Sequence, residues 1–156
     1  MSDIETLRRI LDAHRTIAVV GLSADWWRPS YFAAKYMQEH GYRVVPVNPR
    51  YDQILGEACY PSLTAIPHPV AIVDVFRRTE DVMPIAAEAI AIGARVLWQQ
   101  IGVVNAEADA VARAGGLESV MDRCVKIEHA RLFGGLIWVG VNTRVISSRR
   151  PRTLAN

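Results

Sequence analysis

Five short apolar runs alternate with helical segments along this chain, and that rhythm limits the fold more than any other feature. The runs fall at 16–20, 43–47, 70–76, 95–98 and 119–122. They are apolar on consecutive positions rather than alternate ones, as strands buried on both faces must be. Between them lie segments with helical spacing or boundary signals. Residues 31–40 place Phe32, Tyr36 and Met37 inward and stop at Gly41. Residues 84–92 begin with Pro84 and end before Gly93, and Asn105 can cap a helix that runs to Ala114. A lead-in helix carries Ile4, Leu7, Ile10 and Leu11, and 126–132 closes the series. Such alternation predicts an α/β fold, a doubly wound, Rossmann-like parallel sheet of about five strands. At 136–146 the rhythm breaks. Ile137, Val139 and Val141 alternate with Trp138, Gly140 and Asn142, which predicts an appended C-terminal edge strand or hairpin.

The chain of 156 residues reads as a single domain, with a core at 7–133 and an extension at 134–156. A net charge of +2 is too mild to argue for nucleic acid, although Arg149, Arg150 and Arg152 cluster near the end. No apolar run reaches the ~18 residues that a membrane helix needs. The first nine residues carry acids and lack an apolar stretch, which argues against a signal peptide. Two cysteines, Cys59 and Cys124, fit a reducing cytosol better than a disulfide framework. The expected location is cytoplasmic. With no CxxC and no His/Cys cluster at zinc spacing, no metal site is expected.

In sheets of this class a ligand sits beyond the carboxyl ends of the strands. The first such end is the most telling. Val19 and Val20 run into Gly21 and Ser23, and a helix opens at Arg28, Pro29 and Ser30. An apolar strand, a Gly-x-Ser loop and a helix start aim backbone N–H groups at an anion, the requirement for holding phosphate. The glycine pattern of dinucleotide binders is absent. After the second strand come Asn48, Pro49 and Arg50, with no acid before Asp52. An NAD site places Asp or Glu there to accept from the ribose, whereas an arginine suits an extra ribose phosphate. Coenzyme A or NADP is therefore favoured over NAD. Asn48-Pro49 also reads as a simple turn with Arg50 as a solvated charge.

Taken in order, Val-Val-Gly-Leu-Ser…Arg-Pro-Ser, Tyr-Arg-Val-Val-Pro-Val-Asn-Pro, Val-Asp-Val-Phe-Arg-Arg, Trp-Gln-Gln-Ile-Gly and Met-Asp-Arg-Cys-Val-Lys-Ile-Glu-His resemble the small stand-alone CoA-binding proteins. These are similar to the N-terminal CoA-binding domain of the succinyl-CoA ligase alpha subunit. The resemblance runs over 7–133. It implies coenzyme A or an acyl-CoA as ligand, with phosphate on Gly21, Ser23 and Ser30 and the adenosine end near Asn48, Pro49 and Arg50. Val75, Phe76 and Arg77 fall along the nucleotide and pantetheine path, and Gln99 and Gly102 toward the thiol. Trp26-Trp27 and the extension depart from the family pattern.

Several residues read two ways. Trp26 and Trp27 can stack on adenine, or one packs under the loop and the other is partly exposed. Cys124 beside Arg123 is either a thiolate lowered by its neighbour or a buried small hydrophobe. Glu128 and His129 point about 100° apart on a helix, so they form no dyad with each other. Asp74, inside an apolar strand, is expected to bond the loop backbone around Gly21 or Ser23. No nucleophile–base–orienter set is visible, so binding without catalysis is the first reading. An NADP-linked oxidoreductase using the same cleft is the alternative, with Tyr31, His129 or Cys124 as proton donor. A third is an interaction protein whose nucleotide site has decayed. An exposed apolar edge strand needs cover, so the extension predicts a homodimer.

Overall fold

Apolar strands that alternate with helices can bury both faces only by layering helices above and below one sheet, and this chain does so. The computed structural model describes residues 3–133. In chain order the elements are α1 (Ile4–Ala13), β1 (Thr16–Val20), α2 (Pro29–Glu39), β2 (Arg43–Val47), β3 (Gln53–Ile54), β4 (Glu57–Ala58), β5 (Ile72–Val75), α3 (Val82–Ala91), β6 (Val96–Gln99), α4 (Ala106–Ala114), β7 (Glu118–Val120) and α5 (Val125–Leu132). The main sheet runs β2-β1-β5-β6-β7, and every neighbouring pair in it is parallel. β3 and β4 form a small antiparallel ribbon that the apolar rhythm does not announce. It turns on Leu55 and Gly56, both at positive φ.

Side-chain alternation along β1 divides the core. Ile17 and Val19 face α1, α2 and α5, in a layer with Leu7, Ile10, Met37 and Val125. Ala18 and Val20 face α3 and α4, in a layer with Val82, Ala86, Ala89, Ala108 and Ala112. The small residues of α3 and α4 let those helices lie close to the sheet. Helix ends follow local chemistry. Asp3 caps α1 by accepting from the Thr6 N–H at 2.8 Å, and Asn105 caps α4 by accepting from the Ala108 N–H at 3.0 Å. The first turn of α2 has Pro29 and no side-chain cap.

One expectation changes. Phe32 is not inward: Ser30, Ala33, Ala34 and Met37 form the buried stripe of α2, and the Phe32 ring lies out in solvent under the Lys126 ammonium. The proposed edge strand at 136–146, and the homodimer built on it, lie outside the described residues.

The order of strands decides where a ligand can enter. β2 lies on one side of β1 and β5 on the other, so the chain reverses direction across the sheet between them. The loops leaving β1 and β5 diverge there and open a crevice at the strands' carboxyl ends.

Candidate functional site

The crevice is built from three loop starts. Gly21 ends β1 with its N–H donated to the Val47 carbonyl at 2.9 Å, and Phe76 ends β5 with its N–H on the Val20 carbonyl at 2.9 Å. These bonds hold the three strand ends level. Gly21 has φ +87°. A Cβ there would fall within the contact distance of the Phe76 carbonyl oxygen and 2.8 Å from Arg77 Cδ. The glycine is thus needed by the backbone turn and by the close approach of the β5 loop, whatever binds.

From Gly21 the loop is held by hydroxyls. The buried Ser30 Oγ accepts from the Ser23 N–H at 3.1 Å, and the Ser23 Oγ accepts from the Asp25 N–H at 3.1 Å. Asn48 performs the same service for the next loop. Its side-chain N–H donates to the Leu22 carbonyl at 3.0 Å, and its Oδ1 accepts from the Arg50 N–H at 3.0 Å. One asparagine thereby ties the turn after β2 to the loop after β1. Asn48 is a turn residue, and the turn it makes carries Arg50 to the cleft.

A cleft of about 640 Å³ results. Nine of the twelve residues singled out from sequence line it. Gly21, Ser23, Arg28 and Ser30 come from the first loop, Asn48, Pro49 and Arg50 from the second, and Phe76 and Arg77 from the third. Its charged lining is Arg28, Arg50 and Arg77 against Asp25. The uncapped start of α2 adds a partial positive charge. Pro29, at the expected helix start, lines it as well, as do Asp25 and Tyr51, which were not singled out.

The other three fall elsewhere. Val75 is buried against α3 and α4. The Gln99 amide closes on the backbone of Asn105, donating to its carbonyl at 3.1 Å and accepting from its N–H at 2.7 Å. Gly102 donates its N–H to Asp122 Oδ1 at 2.8 Å, which joins the loops after β6 and β7. Gln100 lines a second pocket of about 840 Å³, contiguous with the first through Pro29, Phe76 and Arg77. A shift of one residue along a strand end exchanges one face for the other, and sequence position alone could not fix that parity. Ile101, Val103, Cys124 and Ile127 share this pocket.

Beneath Gln100 lies Asp74. It does not bond the first loop as expected. Its Oδ1 accepts from Gln100 Nε2, and its buried Oδ2 has no hydrogen-bond partner. Burial pushes its carboxyl up to about 8, partly offset by the Gln100 hydrogen bond, so Asp74 is largely neutral at pH 7. The reason lies in pleat: Asp74 pairs with Val19 in register, and both point into the α1–α2–α5 layer.

The residues that read two ways are each placed by the structure. Trp26 and Trp27 are 66% and 59% exposed, edge to face at 6.1 Å, and line neither pocket. Neither packs under the loop. Burial pushes the Cys124 thiol up, against a smaller opposing pull from the Ile127 and Lys126 N–H groups, so Arg123 makes no thiolate of it. Arg123 instead pairs with Glu128 at 3.4 Å, and Glu128 also takes Arg131 at 2.9 Å. His129 Nδ1 bonds the Tyr36 hydroxyl at 2.9 Å between α2 and α5, outside both pockets. Burial, then His40 and Arg15, hold its imidazole down to about 4. Among the described residues no group of three or more His, Cys, Asp and Glu is placed to hold a metal, and no helix is long and apolar enough to cross a membrane.

Known proteins are similar to this chain in sequence and fold. Residues 15–130 match the CoA binding domain family. The YneT protein of Bacillus subtilis (strain 168) is 42% identical over 124 residues, which cover 80% of this chain and 92% of that one. A solved protein from Pyrococcus horikoshii OT3 superposes with a TM-score of 0.83 at 41% identity, over 85% of this chain and 94% of its own. The dinucleotide-forming acetyl-coenzyme A synthetase 1 of Ca. Korarchaeum cryptofilum has the same fold at 21% identity. Its TM-score is 0.63, over 72% of this chain and 27% of its own length.

Proposed function

The chain belongs to the CoA-binding domain family, and on that premise we propose that it binds coenzyme A or an acyl-CoA without chemistry of its own. The adenosine and phosphates lie in the arginine-lined cleft and the pantetheine arm runs past Phe76 and Arg77 into the second pocket. The observation that carries this reading is the convergence of Arg28, Arg50 and Arg77 at the point where strand order reverses. Three guanidiniums around an uncapped helix start suit a ligand with several phosphates. The end of β2 offers an NAD ribose no carboxylate, since Asn48, Pro49 and Arg50 stand there. Pro49 and Arg50 are exposed, so the arginine is free to meet a ribose phosphate. Cys59 and Cys124 are both unpaired thiols, which suits a reducing cytosol.

Calorimetry with CoA, dephospho-CoA, NADP and NAD tests this directly. CoA is expected to bind most tightly and dephospho-CoA more weakly, because of these two only CoA carries the ribose 3′-phosphate. NAD binding as tightly as CoA would remove the assignment. NADP binding more tightly than CoA would favour the oxidoreductase.

A further inference from the structure

We infer that the second pocket takes an uncharged, apolar acyl group and discriminates against acyl groups that end in a carboxylate. This rests on the CoA-binding reading, and it names the class of thioester that the site would hold.

The pocket has the size of a small-molecule site, about 840 Å³. Its walls are Pro29, Phe76, Ile101, Val103 and Ile127, from four separate chain segments. Ile101 is 59% exposed as the protein stands, and its apolar surface is what a bound alkyl chain would cover. The polar groups there are already committed or of the wrong sign for an anion. Arg78 pairs with Asp81 at 3.2 Å and Glu80 at 3.5 Å. Asp81 itself lines the pocket. The Gln100 amide donates to Asp74. Arg77 is shared with the phosphate cleft, where the ligand's own phosphates would engage it. A terminal carboxylate would meet no unpaired cation of its own among the described lining residues. It would also approach Asp81. An alkyl chain brings no charge to be repelled there and gains burial against the apolar walls.

The experiment is a calorimetric series on the full chain at pH 7 with adenosine 3′,5′-bisphosphate, CoA, acetyl-, butyryl-, hexanoyl- and succinyl-CoA. Each fully buried methylene is worth about fourfold in affinity. The expected result is a rise from acetyl to hexanoyl of at least about tenfold, with succinyl-CoA at least about tenfold weaker than butyryl-CoA. Ile101→Asp, a change at an exposed position, is expected to flatten the alkyl series while leaving the bisphosphate affinity unchanged. A second readout is alkylation of Cys124 by iodoacetamide, followed by peptide mass mapping so that Cys59 is counted separately. Hexanoyl-CoA is expected to slow it and the bisphosphate to leave it unchanged. A flat acyl series, succinyl-CoA binding as tightly as butyryl-CoA, or protection of Cys124 by the bisphosphate alone would overturn the inference while CoA binding stands. If neither CoA nor the bisphosphate binds, the CoA reading fails, and this inference fails with it.

Discussion

The phosphate-loop cleft and the pocket beside it stand at the same edge of one sheet, yet they are made in opposite ways. The cleft is a lattice of backbone bonds, with Ser23, Ser30 and Asn48 spending their side chains on loop geometry and three arginines left over for a ligand. The pocket is walled mainly by apolar side chains, with Arg78 paired to Glu80 and Asp81 and the Gln100 amide bonded to Asp74. The difference teaches that the site's charge and its apolar surface come from different strand ends. β1 and β2 supply polar loops, whereas β6 and α5 supply Ile101, Val103 and Ile127. Phe76 and Arg77, after β5, belong to both. A ligand with a charged end and an apolar end is the kind that such a pair would hold.

The most damaging test of this division is Gly21→Val. Its left-handed backbone and the nearby Phe76 carbonyl make any side chain strained. A loss of about 2–4 kcal/mol is expected in urea unfolding, together with loss of CoA binding in calorimetry. A stable variant that binds normally would mean that the β1 and β5 loops are not locked together. Next comes Arg77→Ala, which sits on the boundary. Charged hydrogen bonds are worth about 1.5–3 kcal/mol, so CoA affinity should fall roughly 10- to 100-fold. The dependence on acyl length should survive, because the alkyl walls remain. Arg50→Ala sharpens the point if it weakens CoA but not dephospho-CoA.

Asp74→Asn probes the pocket's floor. A carboxyl held up to about 8 in the folded protein, from an ordinary 3.8, binds its proton more tightly when folded. Its contribution to stability is therefore full below about pH 4 and is lost progressively as pH rises toward 8. Asparagine keeps an oxygen for Gln100 and cannot ionise. The variant is expected to gain about 1–2 kcal/mol on the native protein between pH 6 and 8, read from urea midpoints. Parallel pH profiles for the two proteins would show that Asp74 is already ionised. The smallest effect is expected for Trp26→Ser and Trp27→Ser. Both rings are exposed and outside the cleft lining, so stability should change by no more than about 0.5 kcal/mol and CoA affinity should hold. A drop of about 1–3 kcal/mol in binding would assign a ring to the adenine.

The five parallel strands were legible because burial on both faces leaves an unbroken apolar run, and residues 16–20 and 43–47 match β1 and β2 end to end. The loop residues that line the cleft were legible too, since whatever follows a parallel strand at its carboxyl end faces the ligand side. The β3–β4 ribbon was not, because two-residue strands carry too little periodicity. Which of Gln99 and Gln100 lines the second pocket was not legible, because pleat parity at a strand end depends on where pairing with β5 begins. Sequence by itself determined the α/β class, the glycine that must turn after β1, and the cluster of arginines after three different strands. Only the tertiary structure decided that Arg28, Arg50 and Arg77 share one cleft, that Asp74 is buried against Gln100, and that an apolar pocket adjoins them. The physical reason is that apolar patterning and turn chemistry are local. Strand order, register and burial of a carboxylate arise only when segments distant in the chain pack together.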